Sequence, residues 1–400
     1  MNLQINNTGK NNVQQMPDPC NMNIVVATDS FKECLTAKEV AANIALGIRM
    51  VMPNAEIQEI PISDGGEGVL EAILNGTGGK RLSVLVMDPL MRQIKAEYGI
   101  LNDNTTAVIE MAQASGIELL TEHEKNPLIT TTFGTGQLIR EALDQGCEKI
   151  IIGIGGSATN DGGAGMVRAL GAKFLNEAGD EINDGGGNLN ELFTIDLSDF
   201  DKRIEKCEVI VACDVSSPLT GINGASFVYG YQKGGNQQDL KILDSNLAHY
   251  ARIIKSTLDL DVSDMPGAGA AGGTGAGLMA FLKGRPVNGI ELILKTLRVE
   301  ERLKEANLLF TGEGKIDGQT LQGKTISGIA LMAKKHQVPV IVITGKIGED
   351  IEDIYDMGVN AVYSIVNRPM KLDQAIEEAP KLIQDTARNI MATIKCFNNS

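Results

Sequence analysis

Asn23-Ile24-Val25-Val26-Ala27-Thr28-Asp29 is followed seven residues later by Thr36-Ala37-Lys38-Glu39, and the fold is decided by reading the two together. The first run is short, apolar and β-branched and ends in an acid, which predicts a buried strand. In the second, a Thr three residues before a Glu is a capping box, so it predicts the start of an amphipathic helix, which Pro53 closes. The same rhythm continues with a strand around Glu56 to Ile62, the turn Ser63-Asp64-Gly65-Gly66-Glu67-Gly68 and a short helix near Val69 to Leu74. It returns after Leu282 as a helix over 289–303, a strand Leu308 to Thr311, a helix over 323–335 and a strand Val338 to Thr344. A further helix and strand follow, with a terminal helix over 373–395. Strands alternating with helices predict a parallel sheet.

Between these halves the rhythm changes. Arg81 to Val86, Lys95 to Leu101 and Thr106 to Met111 read as strands without long helices between them, which suits a mixed sheet. A helix after Gly134, a strand Lys149 to Gly153 and a strand ending at Ala212-Cys213-Asp214 follow. The expected architecture is α/β: a discontinuous Rossmann-like parallel-sheet domain made of 22–85 and 285–400, plus a second, inserted α/β domain with a mixed sheet over 86–284. Residues 1–21, rich in Asn and Gln and interrupted by Pro17 and Pro19, are expected to be a disordered N-terminal extension.

Composition narrows the function. A net charge of −15 without a basic run opposes nucleic-acid and membrane partners. The six cysteines are widely spaced and form no CxxC pair, which fits a reducing compartment. No run reaches the roughly 18 apolar residues of a membrane span, and the first twenty residues lack the regions of a signal peptide, so a cytoplasmic protein is expected. His123, His249 and His336 each stand apart from other metal-type ligands, which argues against a zinc site or a Ser-His-Asp triad.

The 45 glycines are bunched into loops. Gly155-Gly156-Ser157-Ala158-Thr159-Asn160-Asp161-Gly162-Gly163-Ala164-Gly165 leaves a strand and opens a helix, where backbone N–H groups can cradle phosphate oxygens. Ser157 and Thr159 would add hydroxyls, and Asp161 would hold Mg²⁺ directly or through water. Gly153 to Ala158 also matches GxGxxA, but a dinucleotide would want an acid at the end of the next strand, and Asp180 lies among turn residues. A second loop, from Gly267 and Gly269 to Gly272, follows Pro266 instead of a strand, so backbone packing competes there with phosphate binding.

Gly318-Gln319-Thr320-Leu321-Gln322-Gly323-Lys324-Thr325 is a formal Walker A match. The expected context is wrong, because Gly312 to Asp317 would intervene after a strand ending at Thr311, and Val338 to Thr344 ends without an acid. Its local chemistry stands: Glu313 and Asp317 are hard oxygen ligands, and Lys315 and Lys324 supply charge. Asp29, Asp64, Glu67 and Asp214 also sit at strand ends, where several carboxylates meeting in one cleft would suit phosphoryl transfer. Lys32 and Arg92 are candidates to neutralise a carboxylate or phosphate.

These blocks, taken together, resemble the type 1 glycerate kinases. The likeness runs through Ala27-Thr28-Asp29-Ser30-Phe31-Lys32, Asp64-Gly65-Gly66-Glu67-Gly68, Glu110-Met111-Ala112 and Thr131-Thr132-Phe133-Gly134-Thr135-Gly136. It continues through the whole Gly155 to Gly165 loop, Cys213-Asp214-Val215, Gln232-Lys233-Gly234, Pro266 to Gly273 and Gly312-Glu313-Gly314 with Asp317 and Gly323-Lys324. Glu33-Cys34, Ser217 and Tyr231 depart from the family pattern, and Gly318 is not a family feature.

The resemblance implies transfer of a phosphoryl group from ATP, with Mg²⁺, to D-glycerate, giving 2-phosphoglycerate, with the 3-phosphate or another small hydroxy acid as alternatives. It implies catalytic roles for Asp64, Asp214, Asp317 and Lys324. ATP phosphates would lie on Gly155, Gly156, Ser157, Thr159, Gly162, Gly163, Gly267 and Gly269. Substrate would meet Ser30, Lys32 and Arg92, and Asp161 and Glu313 would hold the metal. The expected partner is the small-molecule substrate, taken up by a homodimer or a monomer.

Overall fold

The computed structural model describes residues 22–32, 34–63, 68–321 and 325–398, so the expected N-terminal extension and the segments holding Asp64, Glu67 and Lys324 lie outside the described residues. The strands in chain order are β1 (Asn23–Val26), β2 (Glu56–Glu59), β3 (Lys80–Met87), β4 (Gln93–Ile100), β5 (Thr106–Glu110), β6 (Lys149–Gly153) and β7 (Lys173–Leu175). They continue with β8 (Thr194–Asp196), β9 (Glu208–Ala212), β10 (Arg285–Val287), β11 (Leu308–Ile316), β12 (Val340–Ile347) and β13 (Val359–Ser364).

One sheet is parallel throughout, in the order β13-β12-β11-β1-β2, with Val25 beside Leu309 and Ile24 beside Ile57. Counted along the chain within that sheet, the order is 2-1-3-4-5, a doubly wound arrangement whose direction reverses between β1 and β11. The other sheet is mixed, in the order β10-β9-β6-β5-β4-β3: β3, β4 and β5 pair antiparallel, and β5, β6, β9 and β10 pair parallel. The expected α/β class with one parallel and one mixed sheet is therefore what folds. We propose sheet membership as the domain criterion. On that criterion β3 and β10 place the boundaries near residues 79 and 288, instead of 85 and 285.

Three apolar layers hold these sheets. Helix Ala37–Arg49, with its Thr36/Glu39 capping box formed, packs with helix Leu372–Asn398 on the outer face of the parallel sheet. Helices Phe133–Asp144, Ala164–Ala169, Gln237–Leu258 and Ala270–Leu282 cover the far face of the mixed sheet. Between the sheets lie helices Val69–Thr77, Gly289–Thr296 and Thr325–Lys335. The strand period of two explains how one strand serves two cores. In β6, Ile150 and Ile152 face the far layer, whereas Ile151, with Val108 and Ile210, faces the middle layer that also holds Val25 and Leu309 of the other sheet.

Three local expectations are corrected. The helix expected over 289–303 is two helices, Gly289–Thr296 and Val299–Leu303, broken at Arg298 in the left-handed region. The second glycine loop, expected to run to Gly272, passes at Ala270 into the helix Ala270–Leu282, which includes a left-handed kink at Ala271 to Gly273. β11 runs on to Ile316, held by β12 through the pairs Lys315↔Lys346 and Ile316↔Ile347. The strand thus leads directly into the Gly318 segment, and the expected intervening loop does not exist.

Candidate active site

At the carboxyl end of β6, Gly155, Gly156 and Ser157 form one wall of a cavity of about 570 Å³. The carboxyl end of β9 supplies Cys213 and Asp214, and Ala270 and Ala271 close another side. Two lysines complete it, Lys125, which sequence reasoning passed over, and Lys233, noted only within the block Gln232-Lys233-Gly234 and given no role. Lys233 is 1% exposed, and its ammonium donates to Ser157 Oγ and to the Thr159 carbonyl, both at 2.7 Å. Burial pulls its pKa down to about 7, and the nearby Asp161 carboxylate acts in the opposite direction. In the sequence, a lysine beside a glutamine and a glycine ordinarily reads as a solvated cation.

Asp214 is exposed in this cavity, and its Oδ1 accepts from Gly289 N–H at 2.7 Å, tying the mixed sheet to the first turn of a middle-layer helix. A second cavity of about 440 Å³ shares Gly156 with the first and is bordered by Lys95, Glu110, Gln113 and Gly68. Gly68 also borders a third, of about 150 Å³, which opens on Asp29 and Ser30 at the end of β1. Gly156 and Gly68, each shared by two of them, make these three cavities neighbours along the ends of both sheets, a trench in three parts. Asp29 Oδ1 accepts from Ser30 N–H at 2.6 Å, and its Oδ2 accepts from Thr325 Oγ1 at 2.7 Å. On the neighbouring β11, Glu313 Oε1 accepts from Thr320 Oγ1 at 2.7 Å, and Asp317 pairs with Lys315 at 2.5 Å.

Several expected site residues do other work. Asp161 is fully buried, and its oxygens accept from Thr132 N–H (2.8 Å) and hydroxyl (2.9 Å) and from the N–H groups of Gly163 (3.1 Å) and Gly165 (3.2 Å). Burial raises its pKa and these donors hold it down. It pins helix Ala164–Ala169 to the Thr131-Thr132 segment and has no face toward the trench, so the reading of Asp161 as a metal ligand is corrected. Gly163 is spent on the same carboxylate, and a side chain at Gly162 would strike the Tyr250 ring at 2.7 Å. Thr159 is buried, and its hydroxyl does not reach the cavity.

Gly269 backs onto the Pro218 carbonyl, which a Cβ would meet at 2.1 Å, and neither it nor Gly267 lines the cavity. Of the expected phosphate set, Gly155, Gly156 and Ser157 are the ones the structure brings to the trench. Arg92, the other cation expected at the substrate, is held by Asp88 and Glu124, each at 2.5 Å, and does not line the trench. Lys32 lines a separate cavity beside the ends of β11, β12 and β13. Among the described residues, no three His, Cys, Asp or Glu side chains gather as a metal cage, and no helix is long and apolar enough to cross a membrane.

The model of the glycerate kinase family matches residues 24–395. The chain belongs to the glycerate kinase family. Within that family, it is 49% identical to a glycerate kinase of Halalkalibacterium halodurans over 94% of this chain and 99% of the relative. It is 48% identical to a glycerate 2-kinase of Escherichia coli K12, over 93% and 98%. Among solved structures, a candidate glycerate kinase 2 from Salmonella typhimurium LT2 superposes with a TM-score of 0.87 at 46% identity, covering 95% of this chain and all of that one.

Proposed function

We propose that this chain transfers the γ-phosphoryl group of ATP to a hydroxyl of D-glycerate, giving 2-phospho-D-glycerate, in the cytoplasm. Membership of the glycerate kinase family supports the acceptor and the reaction class. The observation that carries the reading is the occurrence, along the trench, of a lysine-lined glycine turn at the end of β6 and of the carboxylate Asp29 beyond the end of β1.

Phosphoryl transfer needs charge neutralisation and alignment more than covalent help from the protein. Lys233, beside Gly155 to Ser157, holds an anionic group of the reactants in a largely dehydrated wall, where a fixed positive charge counts for more than in water, while Lys125 beside it is paired with Glu122. Asp214, opposite them, orients the acceptor hydroxyl. Asp29, Glu313 and Asp317 are hard oxygen donors, and one or two carboxylates together with substrate phosphates are the donor set Mg²⁺ prefers. When bound there, the ion would neutralise charge on the phosphates. Ser30 lies against Asp29 on the same rim. Asp64 and Lys324 belong to this reading by resemblance.

The test is ADP release from ATP and D-glycerate by the purified chain, followed by phosphorus NMR of the product. The expected result is glycerate-dependent ADP release and a phosphate on carbon 2. No ADP release with D-glycerate, while another small hydroxy acid supports it, would overturn the acceptor. Asp317→Ala and Lys324→Ala should each reduce kcat/KM by at least tenfold, and near-normal turnover in both would remove them from the site.

A further inference from the structure

Beside the trench, on the outer side of the parallel sheet, lies a cavity of about 620 Å³ that the roles above leave without an occupant. Four parallel strands contribute to its floor near their carboxyl ends: Phe31 follows β1, Gly314 lies in β11, Gly345 in β12, and Ser364 closes β13. Its wall is apolar, with Val366, Ala375 and Ile376 among the lining residues, and helix Leu372–Asn398 forms one side. Val366 is 40% exposed and Leu372 73% exposed, so greasy surface is left facing an open space. Lys32 and Lys346 also line it. Both are exposed, and among the described residues neither has an ion pair. In a chain of net charge −15, two lysines without carboxylate partners at one apolar cavity mark a place for an anion with a large apolar part.

We infer that this cavity takes the purine nucleoside of the phosphoryl donor. A flat heteroaromatic base needs apolar walls and a volume of a few hundred Å³, which this space provides. The donor's phosphates need cations at the mouth and a path to the acceptor, and Lys32 and Lys346 stand where that path would begin. Ligands of doubly wound sheets bind outside the carboxyl ends of the strands at the reversal of strand order. Here that reversal lies between β1 and β11, and this cavity is lined by Phe31 and Gly314, two residues after Asp29 and one after Glu313. The donor therefore enters from the parallel sheet and the acceptor sits against the mixed sheet, with transfer where the two sides meet. The inference rests on the kinase reading for the identity of the donor.

The experiment is calorimetric titration of ADP with Mg²⁺ into the full chain and into Ala375→Trp, Val366→Trp and Lys346→Glu, with KM for D-glycerate measured alongside. Ala375→Trp and Val366→Trp fill the cavity from partly exposed positions, and each should raise the Kd for ADP at least tenfold while leaving KM for D-glycerate unchanged. Lys346→Glu should weaken ADP by a similar factor, more at low salt than at high salt. Unchanged ADP affinity in all three variants overturns the inference, even if the wild-type chain turns over. Loss of ADP binding in the variants of a chain that releases no ADP with D-glycerate would keep the cavity assignment and sink the kinase reading instead. Should the tryptophan variants fail to fold, photolabelling of the wild-type chain with 8-azido-ADP decides. Label on 345–347 or 364–376 supports the inference, and label confined to 155–165 or 267–275 overturns it.

Discussion

Lys233 shows how burial turns an ordinary cation into a selective one. Its ammonium is held by one hydroxyl and one carbonyl in a site from which water is nearly excluded, and its pKa falls to about 7. It is then charged below pH 7 and neutral above, so affinity for an anionic group should fall as pH rises through that value. The expected outcome is a kcat/KM for D-glycerate that declines above about pH 7 in the wild type. In Lys233→Met the value should be lower by about two orders of magnitude at pH 6 and lack that inflection, as a pH–rate profile would show. Asp161 is the contrasting case. Asp161→Asn would aim an amide N–H₂ at donors that need an acceptor, and should cost about 3 kcal/mol in urea unfolding while leaving the Mg²⁺ dependence of the rate unchanged. In the sequence these two residues look alike, since each is a charged residue near glycines. Only the packing of Thr131-Thr132 against one, and of Ser157 against the other, separates the structural carboxylate from the functional ammonium.

At the level of elements, caps and periodicity were the most readable features. Thr36 and Glu39 cap the first helix as expected, and the Ile150-Ile151-Ile152 run became a central strand. Asn236 and Asp239 form a second capping box, opening the helix Gln237–Leu258 directly after the Lys233 turn. Asn236→Ala should cost about 1 kcal/mol by chemical denaturation with little change in turnover. What the sequence concealed follows from tertiary pairing. Glu313-Gly314-Lys315 has the composition of a loop, yet β12 supplies partners to Lys315 and Ile316 and keeps the strand going. The helix expected across 289–303 has continuous apolar spacing, so its break at Arg298 leaves no mark in periodicity. The Gly155 to Gly163 stretch was legible as a loop. Whether a given glycine faced a cavity or a neighbouring carbonyl was not, because that depends on what the fold sets opposite it: Gly156 lines a cavity, and Gly269 backs onto the Pro218 carbonyl.

Across the whole molecule, the middle helices belong to both sheets. Ile293 and Ile329 share a core with Val25 and Leu309 on one side and with Val108, Ile151 and Ile210 on the other. Neither sheet can lose that layer without baring the other, so the two should unfold in one cooperative transition. Urea curves followed by far-UV circular dichroism and by tyrosine fluorescence should coincide, and two separated midpoints would count against a shared core. This joint ownership also limits what can be cut out of the chain. A fragment spanning 80–287 keeps every strand of the mixed sheet but loses the helix Gly289–Thr296 and the others of that layer, presenting Val108, Ile151 and Ile210 to water. Such a piece would be expected to clump instead of folding alone, and the insert could be traded between relatives only together with the helices beneath it.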